Sequence, residues 1–275
     1  MSAPIQPSPL SPVAPPGRVL VLMYHGIHES RADHGQFDPR YSARPRQFVE
    51  QMHCLTRLGV TGWVPVAGHA LVAPEAAAGQ HMVLITFDDG DVSNLERALP
   101  VLQASGLAAV FFITRNFVGQ RGMISRAGLR DLAEAGMVIG SHGLSHQFLN
   151  TLSPATLAIE LANSRDFLQQ ITGRPVVLLS LPGGRGGPRE IQAAHDAGYL
   201  SVFGSSPGIN VDTTAGGLID RVVITRQTEL AAFEQLVRWQ GPAVWRQCAR
   251  SRMLGLPRRL LGDRGYDRLR QVLVR

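Results

Sequence analysis

The chain has 275 residues, a net charge of +6, 44% hydrophobic residues and only 6% aromatic residues. This length allows one large α/β domain or two small ones, with a core built from Leu, Val, Ile and Ala. No apolar run approaches the ~18 residues that a membrane-spanning helix needs. No recognition motif of a nucleic-acid-binding protein accompanies the positive charge, so we expect no nucleic-acid partner.

The first 17 residues are rich in Pro and Ser and lack the charged start and apolar core of a secretory signal. We therefore expect a disordered lead-in over residues 1–17. With no visible signal or spanning segment, the expected location is cytoplasmic or peripheral at the inner face of a membrane. The two cysteines, Cys54 and Cys248, do not require an oxidising compartment.

Apolar segments of strand length alternate with helical patterns from residue 18 onward. The strand-like segments are 18–24, 81–87, 108–114, 137–142, 175–182, 199–204 and 221–225. Between them, residues 45–59 repeat apolar side chains on one helix face, and residues 153–173 carry helix start and stop signals at Ser153, Pro154 and Gly173. This alternation predicts βαβ units and a parallel sheet, as a barrel or a doubly wound sheet.

The pattern after residue 228 is helical and becomes strongly basic. Residues 240–275 hold nine Arg and two Asp, a local charge of +7, whereas the rest of the chain sums to −1. We predict one domain over residues 18–240 followed by a basic helical tail over residues 241–275. The tail is suited to an anionic membrane surface, or it simply covers the base of the domain, and both interpretations stay open.

Candidate catalytic side chains follow several of the predicted strands. His25 ends the first strand, Asp88 and Asp89 follow the second, and His142 and His146 follow the fourth. Chemistry in parallel α/β folds lies at these carboxyl ends. A carboxylate and two imidazoles suit Zn²⁺, and a second carboxylate and a third imidazole can transfer protons. Together they predict metal-assisted hydrolysis.

Each of these features alone also has a structural explanation. A D-D-G sequence after a strand is common in solvated turns, and an H-x-x-x-H sequence occurs in ordinary loops. A single histidine at a strand end is often only a hydrogen-bonding residue. We interpret the remaining histidines as structural, and they are His28, His34, His53, His69, His81 and His195.

The combined motifs resemble the polysaccharide deacetylases with the NodB homology domain, carbohydrate esterase family 4. T-F-D-D-G stands unchanged at 86–90, and 142–146 matches H-[ST]-x-x-H with Gly143 in the Ser/Thr position. The resemblance covers roughly residues 18–226 and implies a distorted (β/α)₇ barrel of parallel strands. It also implies that Asp88 is the catalytic base and that Asp89, His142 and His146 bind one divalent metal. Zn²⁺ is expected, and Co, Mn, Fe or Ni would suit the same ligands.

Two other motifs of that family differ in this chain. The R-P-P-aromatic motif is replaced by Pro182, Gly183, Gly184 and Arg185, of which we expect Pro182, Gly183 and Arg185 to contact substrate. Arg185 is also a candidate for the arginine that steadies the base. The acid histidine is absent from 218–226, whereas L-M-Y-H at 22–25 resembles its motif in the circularly permuted poly-N-acetylglucosamine deacetylases. We therefore predict His25 as the general acid.

The resemblance implies a metal-dependent amide hydrolase that deacetylates N-acetylated sugars in exopolysaccharide or envelope metabolism. Its partner would be a polysaccharide, an oligosaccharide or a lipid-linked glycan. Two alternatives remain. The altered third motif permits hydrolysis of another amide C–N bond, and a catalytically silent glycan-binding or scaffold protein is disfavoured by the intact aspartates and histidines.

Overall fold

The computed structural model describes residues 18–62, 64–65, 68–69, 81–211, 216–251 and 253. The predicted lead-in at 1–17, and the part of the basic tail at 254–275, lie outside the described residues. The described strands are β1 (Arg18–Tyr24), β2 (Thr61–Gly62), β3 (His81–Phe87), β4 (Ala109–Ile113), β5 (Val138–Ser141), β6 (Leu178–Ser180), β7 (Ser201–Phe203), β8 (Ile209–Asn210), β9 (Leu218–Ile219) and β10 (Val222–Val223). The α-helices are α1 (Pro45–Arg57), α2 (Leu99–Ala104), α3 (Arg126–Glu134), α4 (Pro154–Thr172), α5 (Pro188–Asp196) and α6 (Leu230–Val237), and residues 242–251 are also helical.

The strands form one mostly parallel sheet that curls into a nearly closed barrel, as predicted. Its order is β10-β1-β3-β4-β5-β6-β7-β9, with β2 beside β3 and β8 antiparallel to β1. The last strand therefore pairs with the first, with Met23 opposite Val223. At the seam, the side-chain amide of Asn210 donates to the carbonyls of Val19 and Asp220 at 3.2 and 3.0 Å. This side chain joins β1 to the segment between β9 and β10.

Both faces of the sheet are buried, which explains the nearly continuous apolar strands. Alternate residues on successive strands form a small inner cluster that fills the barrel, and these are Val19, Val21, Met82, Leu84, Val110, Phe112, Leu178, Phe203 and Ile219. The intervening residues pack outward against the helices in one large cluster. The alternation follows from the period of two of a strand.

The helices begin and end where the sequence signals predicted. The Ser153 hydroxyl accepts a hydrogen bond from the Thr156 amide at 3.2 Å at the start of α4, and Gly173 ends that helix with a φ of 65°. Phe48 and Met52 on α1 are fully buried. No helix within the described ranges is long and apolar enough to span a membrane.

Candidate active site

The carboxyl ends of the strands surround a cavity of about 380 Å³. The structure brings the five predicted residues His25, Asp88, Asp89, His142 and His146 into its lining. They come from β1, from the turn after β3 and from the loop after β5, and the shared direction of parallel strands brings these ends together. A second cavity of about 510 Å³ lies elsewhere, against α4, and none of these five side chains lines it.

Asp89, His142 and His146 form a group that could hold a metal ion. One ligand atom from each lies within 4.8 Å of the others. Oδ1 of Asp89 is 3.1 Å from Nε2 of His146 and 3.5 Å from Nε2 of His142. Nδ1 of His142 donates to the carbonyl of Ser180 at 2.8 Å, because a carbonyl only accepts. Because Nδ1 carries the proton, Nε2 of His142 keeps its lone pair. This is the ring nitrogen on the side of Asp89, and it is therefore the one available to bind a metal ion.

Two of these residues have a left-handed backbone, which is uncommon outside glycine. Asp89 has a φ of 76° and His146 a φ of 64°. Such conformations cost of the order of 1–3 kcal/mol each and concentrate at functional sites. The turn at Asp89 separates the two neighbouring carboxylates, so Asp88 is buried at the barrel end and Asp89 faces the histidines.

A buried glutamate on α4 holds the loop that carries the two histidines. Oε1 of Glu160 accepts hydrogen bonds from the amides of Leu144 and Ser145, at 2.9 and 2.6 Å, and from the Ser145 hydroxyl at 2.9 Å. Gly143 has a φ of 81°, and an added Cβ would lie 3.2 Å from the same Oε1 atom. These two constraints explain why glycine occupies this position.

The structure assigns the arginine beside Asp88 to Arg221. Its Nη1 and Nη2 atoms donate to Oδ1 and Oδ2 of Asp88 at 2.7 and 2.8 Å. Nε donates to the Gly204 carbonyl at 2.7 Å, and Nη2 also donates to the Ser180 hydroxyl at 2.7 Å. Arg221 is 1% exposed. The guanidinium is therefore held by Asp88 through two parallel hydrogen bonds and by Gly204 and Ser180 through its remaining donors, so that Arg221 and Asp88 form a bidentate pair.

This arrangement corrects the expectation that Arg185 steadies the base. The guanidinium carbon of Arg185 lies 3.7 Å from the ring centre of Phe148 instead. Sequence reasoning missed Arg221, although an arginine at the start of the last predicted strand, 221–225, was an available signal.

The turn that replaces the third motif contributes backbone and not a charged wall. Among the described residues, the cavity lining includes Gly183 and Gly184 but neither Pro182 nor Arg185. Gly183 has a φ of 62°, and an added Cβ would lie 2.7 Å from the Phe148 ring. Pro182 is buried. Of the three predicted substrate contacts, Gly183 lines the cavity and Pro182 and Arg185 are outside its lining. Contact of these residues with substrate remains a prediction.

The charges of the site support one another in spite of their burial. Burial raises the pKa of Asp88, but the Arg221 and His142 charges outweigh it and the pKa falls below its usual value. Burial likewise raises the pKa of Asp89, and the hydrogen bond from His146 with the nearby histidines brings it well below the usual range. Burial lowers the pKa of His142. Ionised carboxylates and a neutral His142 are the forms that a base and metal ligands need.

His25 stands beside this group with a free ring nitrogen. Its ring stacks on Tyr41 with the centroids 4.9 Å apart and the planes at 27°. No described residue hydrogen-bonds its buried Nδ1 atom. The side-chain amide of Asn94 donates to the His25 carbonyl at 2.8 Å and fixes the backbone. The position is suitable for an acid, and that role remains a prediction.

A buried polar chain ties the loop after β1 to the loop after β3. Nδ1 of His28 lies 2.9 Å from the Ser42 hydroxyl, and Nε2 lies 3.1 Å from Oδ1 of Asp91. The Ser93 amide donates to the same Asp91 atom at 2.8 Å. Gly26 packs so closely against His28 that an added Cβ would lie 2.3 Å from the ring. These contacts agree with the structural interpretation of His28.

Several known proteins with related sequences are named as deacetylases of polysaccharides. The family model for polysaccharide deacetylase matches residues 75–202. The YxkH protein of Bacillus subtilis strain 168, itself only provisionally named a polysaccharide deacetylase, is 26% identical over 193 residues, which are 70% of this chain and 66% of that protein. The peptidoglycan-N-acetylglucosamine deacetylase of Bacillus cereus is 26% identical over 132 residues, which are 48% of this chain and 60% of that enzyme.

Among solved structures, IcaB from Ammonifex degensii superposes with a TM-score of 0.69 at 25% identity, over 83% of this chain and 97% of that one. The chain spans about two thirds or less of the length of the two curated relatives. The solved structure, in contrast, is covered almost completely, so the likeness extends over the whole barrel.

Proposed function

We propose that the chain, which is similar to polysaccharide deacetylases in sequence and fold, is a metal-dependent hydrolase that removes acetyl groups from N-acetylated sugars. One observation carries this proposal. A carboxylate-and-two-imidazole group lies beside a second carboxylate, Asp88, whose oxygens are both held by a buried arginine. A glycan-binding protein has no use for a buried base next to a metal site.

Asp89, His142 and His146 would hold one divalent cation. Their donor set fits Zn²⁺ and leaves open positions, and Co, Mn, Fe or Ni are compatible with the same ligands. When bound, the cation supplies Lewis-acid polarisation of the acetyl carbonyl. The Ser180 carbonyl orients His142, and Glu160 orients the loop that carries His146.

Asp88 is the proposed base. It accepts a proton from water as the water oxygen attacks the acetyl carbonyl carbon, and Arg221 keeps the carboxylate ionised and fixed in direction. The C–N bond then breaks, and the sugar nitrogen takes a proton from the imidazolium of His25. The products are acetate and a sugar amine, so the water supplies both the oxygen and the protons of the overall reaction.

The cavity suits one sugar residue of a longer glycan. Tyr41, Phe117 and Phe148 line it together with the polar groups, and aromatic side chains provide flat apolar surface for a pyranose. The name of the Bacillus cereus relative supports N-acetylglucosamine as the sugar. We place the glycan in exopolysaccharide or envelope metabolism, as a polysaccharide, an oligosaccharide or a lipid-linked precursor.

Metal analysis combined with acetate release tests this function. Wild type purified without chelator should contain about one metal ion per chain, and His146→Ala should lose most of it. Asp88→Asn should keep the metal but release no acetate from N-acetylglucosamine oligomers. His53→Ala, at an exposed histidine of α1, is the matched control and should behave as wild type.

Three outcomes would count against the proposal. Wild type that holds no metal even after reconstitution contradicts the hydrolytic mechanism and favours a silent binding protein. A His25→Ala enzyme with normal turnover contradicts the acid assignment alone. Metal-loaded enzyme that cleaves formamides or cyclic amides but no N-acetylated glycan favours another C–N hydrolase, a possibility suggested by the glycine backbone at Gly183 and Gly184 in place of a charged wall.

A further inference from the structure

The helix described at residues 242–251 and 253 packs one face against the barrel, and no other described residue is seen to cover its opposite face. Ala243 and Val244 pack against the hydrophobic core. The side-chain amide of Gln247 donates to the Val223 carbonyl at 2.9 Å, on the last strand of the barrel. These contacts fix the rotation of the helix. The opposite face, defined by the helical period, consists of Pro242, Trp245, Arg246, Ala249 and Met253, and the exposed Arg250 lies at its edge, one turn after Arg246.

That outward face carries two large apolar side chains, at a place where a surface helix normally presents polar residues. Trp245 and Met253 are each 71% exposed, the highest values of any large hydrophobic side chain among the described residues. The other exposed large hydrophobics are Ile159, Leu200 and Val211, which lie in three separate parts of the fold. Two large apolar groups on one exposed helix face indicate a contact surface.

The same face is basic, and the sequence that follows it is more so. Arg246 is exposed beside Trp245, and Arg250 is exposed one turn after Arg246. Residues 240–275 carry nine Arg and two Asp, while the rest of the chain sums to −1. Tryptophan is enriched at the boundary between lipid headgroups and acyl chains, and arginine stems cover apolar surface while their guanidinium groups reach phosphate.

We propose that the outward face of the helix at 242–251 docks on an anionic lipid bilayer, with the helix lying in the plane of the surface. A second copy of the chain is a poorer partner, because two strongly basic segments would repel each other. Nucleic acid is a poorer partner too, since a phosphate backbone offers nothing to Met253. The inference does not depend on the proposed reaction.

Vesicle sedimentation with the full chain tests the surface. The probes are vesicles of phosphatidylcholine alone and of an equimolar mixture with phosphatidylglycerol. Wild type should partition onto the anionic vesicles only, and added salt should weaken the binding. The double variant Arg246→Gln/Arg250→Gln should lower the partition coefficient about 25-fold, at about fivefold for each arginine. Trp245→Ala should lower it about tenfold.

Matched controls remove residues of the same kind from other surfaces. Ile159→Ala removes an exposed apolar side chain of α4, and Arg130→Gln/Arg174→Gln removes two exposed arginines. Both should bind vesicles as wild type does, and circular dichroism should show every variant folded. Trp245→Phe keeps an aromatic ring and should retain most of the binding.

Several results would overturn the proposal. One is equal binding of wild type to neutral and anionic vesicles, or no binding to either. Another is anionic binding that Trp245→Ala and the double arginine variant leave unchanged. A third is light scattering that shows a dimer without lipid, converted to monomer by Trp245→Ala, which would assign the face to a second copy.

Discussion

Replacement of Arg221 by methionine separates the contribution of its charge from that of its bulk. The guanidinium makes two bonds to Asp88, at 2.7 and 2.8 Å, inside a site where Arg221 is 1% and Asp88 is 3% exposed. Methionine retains an apolar stem but leaves a carboxylate buried without its cation. Removing one partner of a buried ion pair costs about 3–5 kcal/mol. We expect the free energy of unfolding, measured in urea at neutral pH, to fall by that amount.

The same substitution should shift the pH dependence of activity. Burial raises the pKa of Asp88, and Arg221 is first among the groups that lower it. Without Arg221 the pKa should rise, by about one to three units for a charge at this distance. Because the base must be ionised, the acidic limb of kcat/KM should move to higher pH by the same interval.

The stability profile gives an independent measure with a defined sign. In wild type the pKa of Asp88 is lower in the folded protein than in the unfolded chain. The ionised carboxylate therefore stabilises the fold at pH values above the unfolded pKa, and this stabilisation is lost as the pH falls through the folded pKa. In Arg221→Met the raised pKa reverses the sign, since protonation then favours the folded state. The difference in unfolding free energy between the two proteins should therefore narrow as the pH falls.

Two controls make the result interpretable. Arg46→Met removes an exposed arginine paired with Glu50 and should leave the free energy of unfolding close to that of wild type. Adding Asp88→Asn to Arg221→Met removes the buried charge and should restore part of the lost stability. The electrostatic account of Asp88 is wrong if two results are found together. One is a free energy of unfolding for Arg221→Met within about 1 kcal/mol of the wild-type value. The other is an acidic limb of kcat/KM at the same pH as in wild type.

Three further changes address the supports of the site. Glu160→Gln weakens the acceptor that holds the histidine loop, so zinc affinity in a calorimetric titration should fall about 10–100-fold, and an unchanged affinity would mean that other contacts hold the loop. Gly143→Ala and Gly106→Ala should each lower the free energy of unfolding in urea by about 1–2 kcal/mol, because both glycines have a positive φ. Only Gly143→Ala, which crowds Glu160, should also weaken metal binding. If both variants change the metal affinity equally, this reasoning is wrong. Asp91→Asn removes the charge beside buried His28 and should lower the unfolding free energy by about 1–3 kcal/mol, whereas no loss would show that this pair is dispensable.

The predicted strands and helices were confirmed because their signals are local. The apolar segments at 18–24 and 81–87 coincide with β1 and β3, since a strand buried on both faces is apolar at nearly every position. The segment 175–182 was predicted too long, as only Leu178–Ser180 is paired as a strand. Apolar residues continue beyond a strand where the chain is buried without being paired, so composition cannot mark the end.

The clustering of the candidate residues could also be inferred without coordinates. His25, Asp88, Asp89, His142 and His146 each follow an apolar strand, and parallel strands place those ends on one rim of the sheet. His25 is a neighbour of the aspartates because β1 pairs directly with β3, with Tyr24 opposite Phe87. The individual roles of these residues remain predictions.

What the sequence determined by itself, therefore, was the order of strands and helices, the parallel sheet and the set of side chains gathered at one rim, because periodicity and strand direction are local properties. The tertiary structure decided which arginine meets Asp88: Arg221, immediately before β10, pairs with it, whereas Arg185, in the turn after β6, lies against Phe148. It also decided that Glu160, on a helix after the loop, organises the two histidines. Such pairings depend on the distances between segments far apart in the chain, and no local pattern encodes those distances.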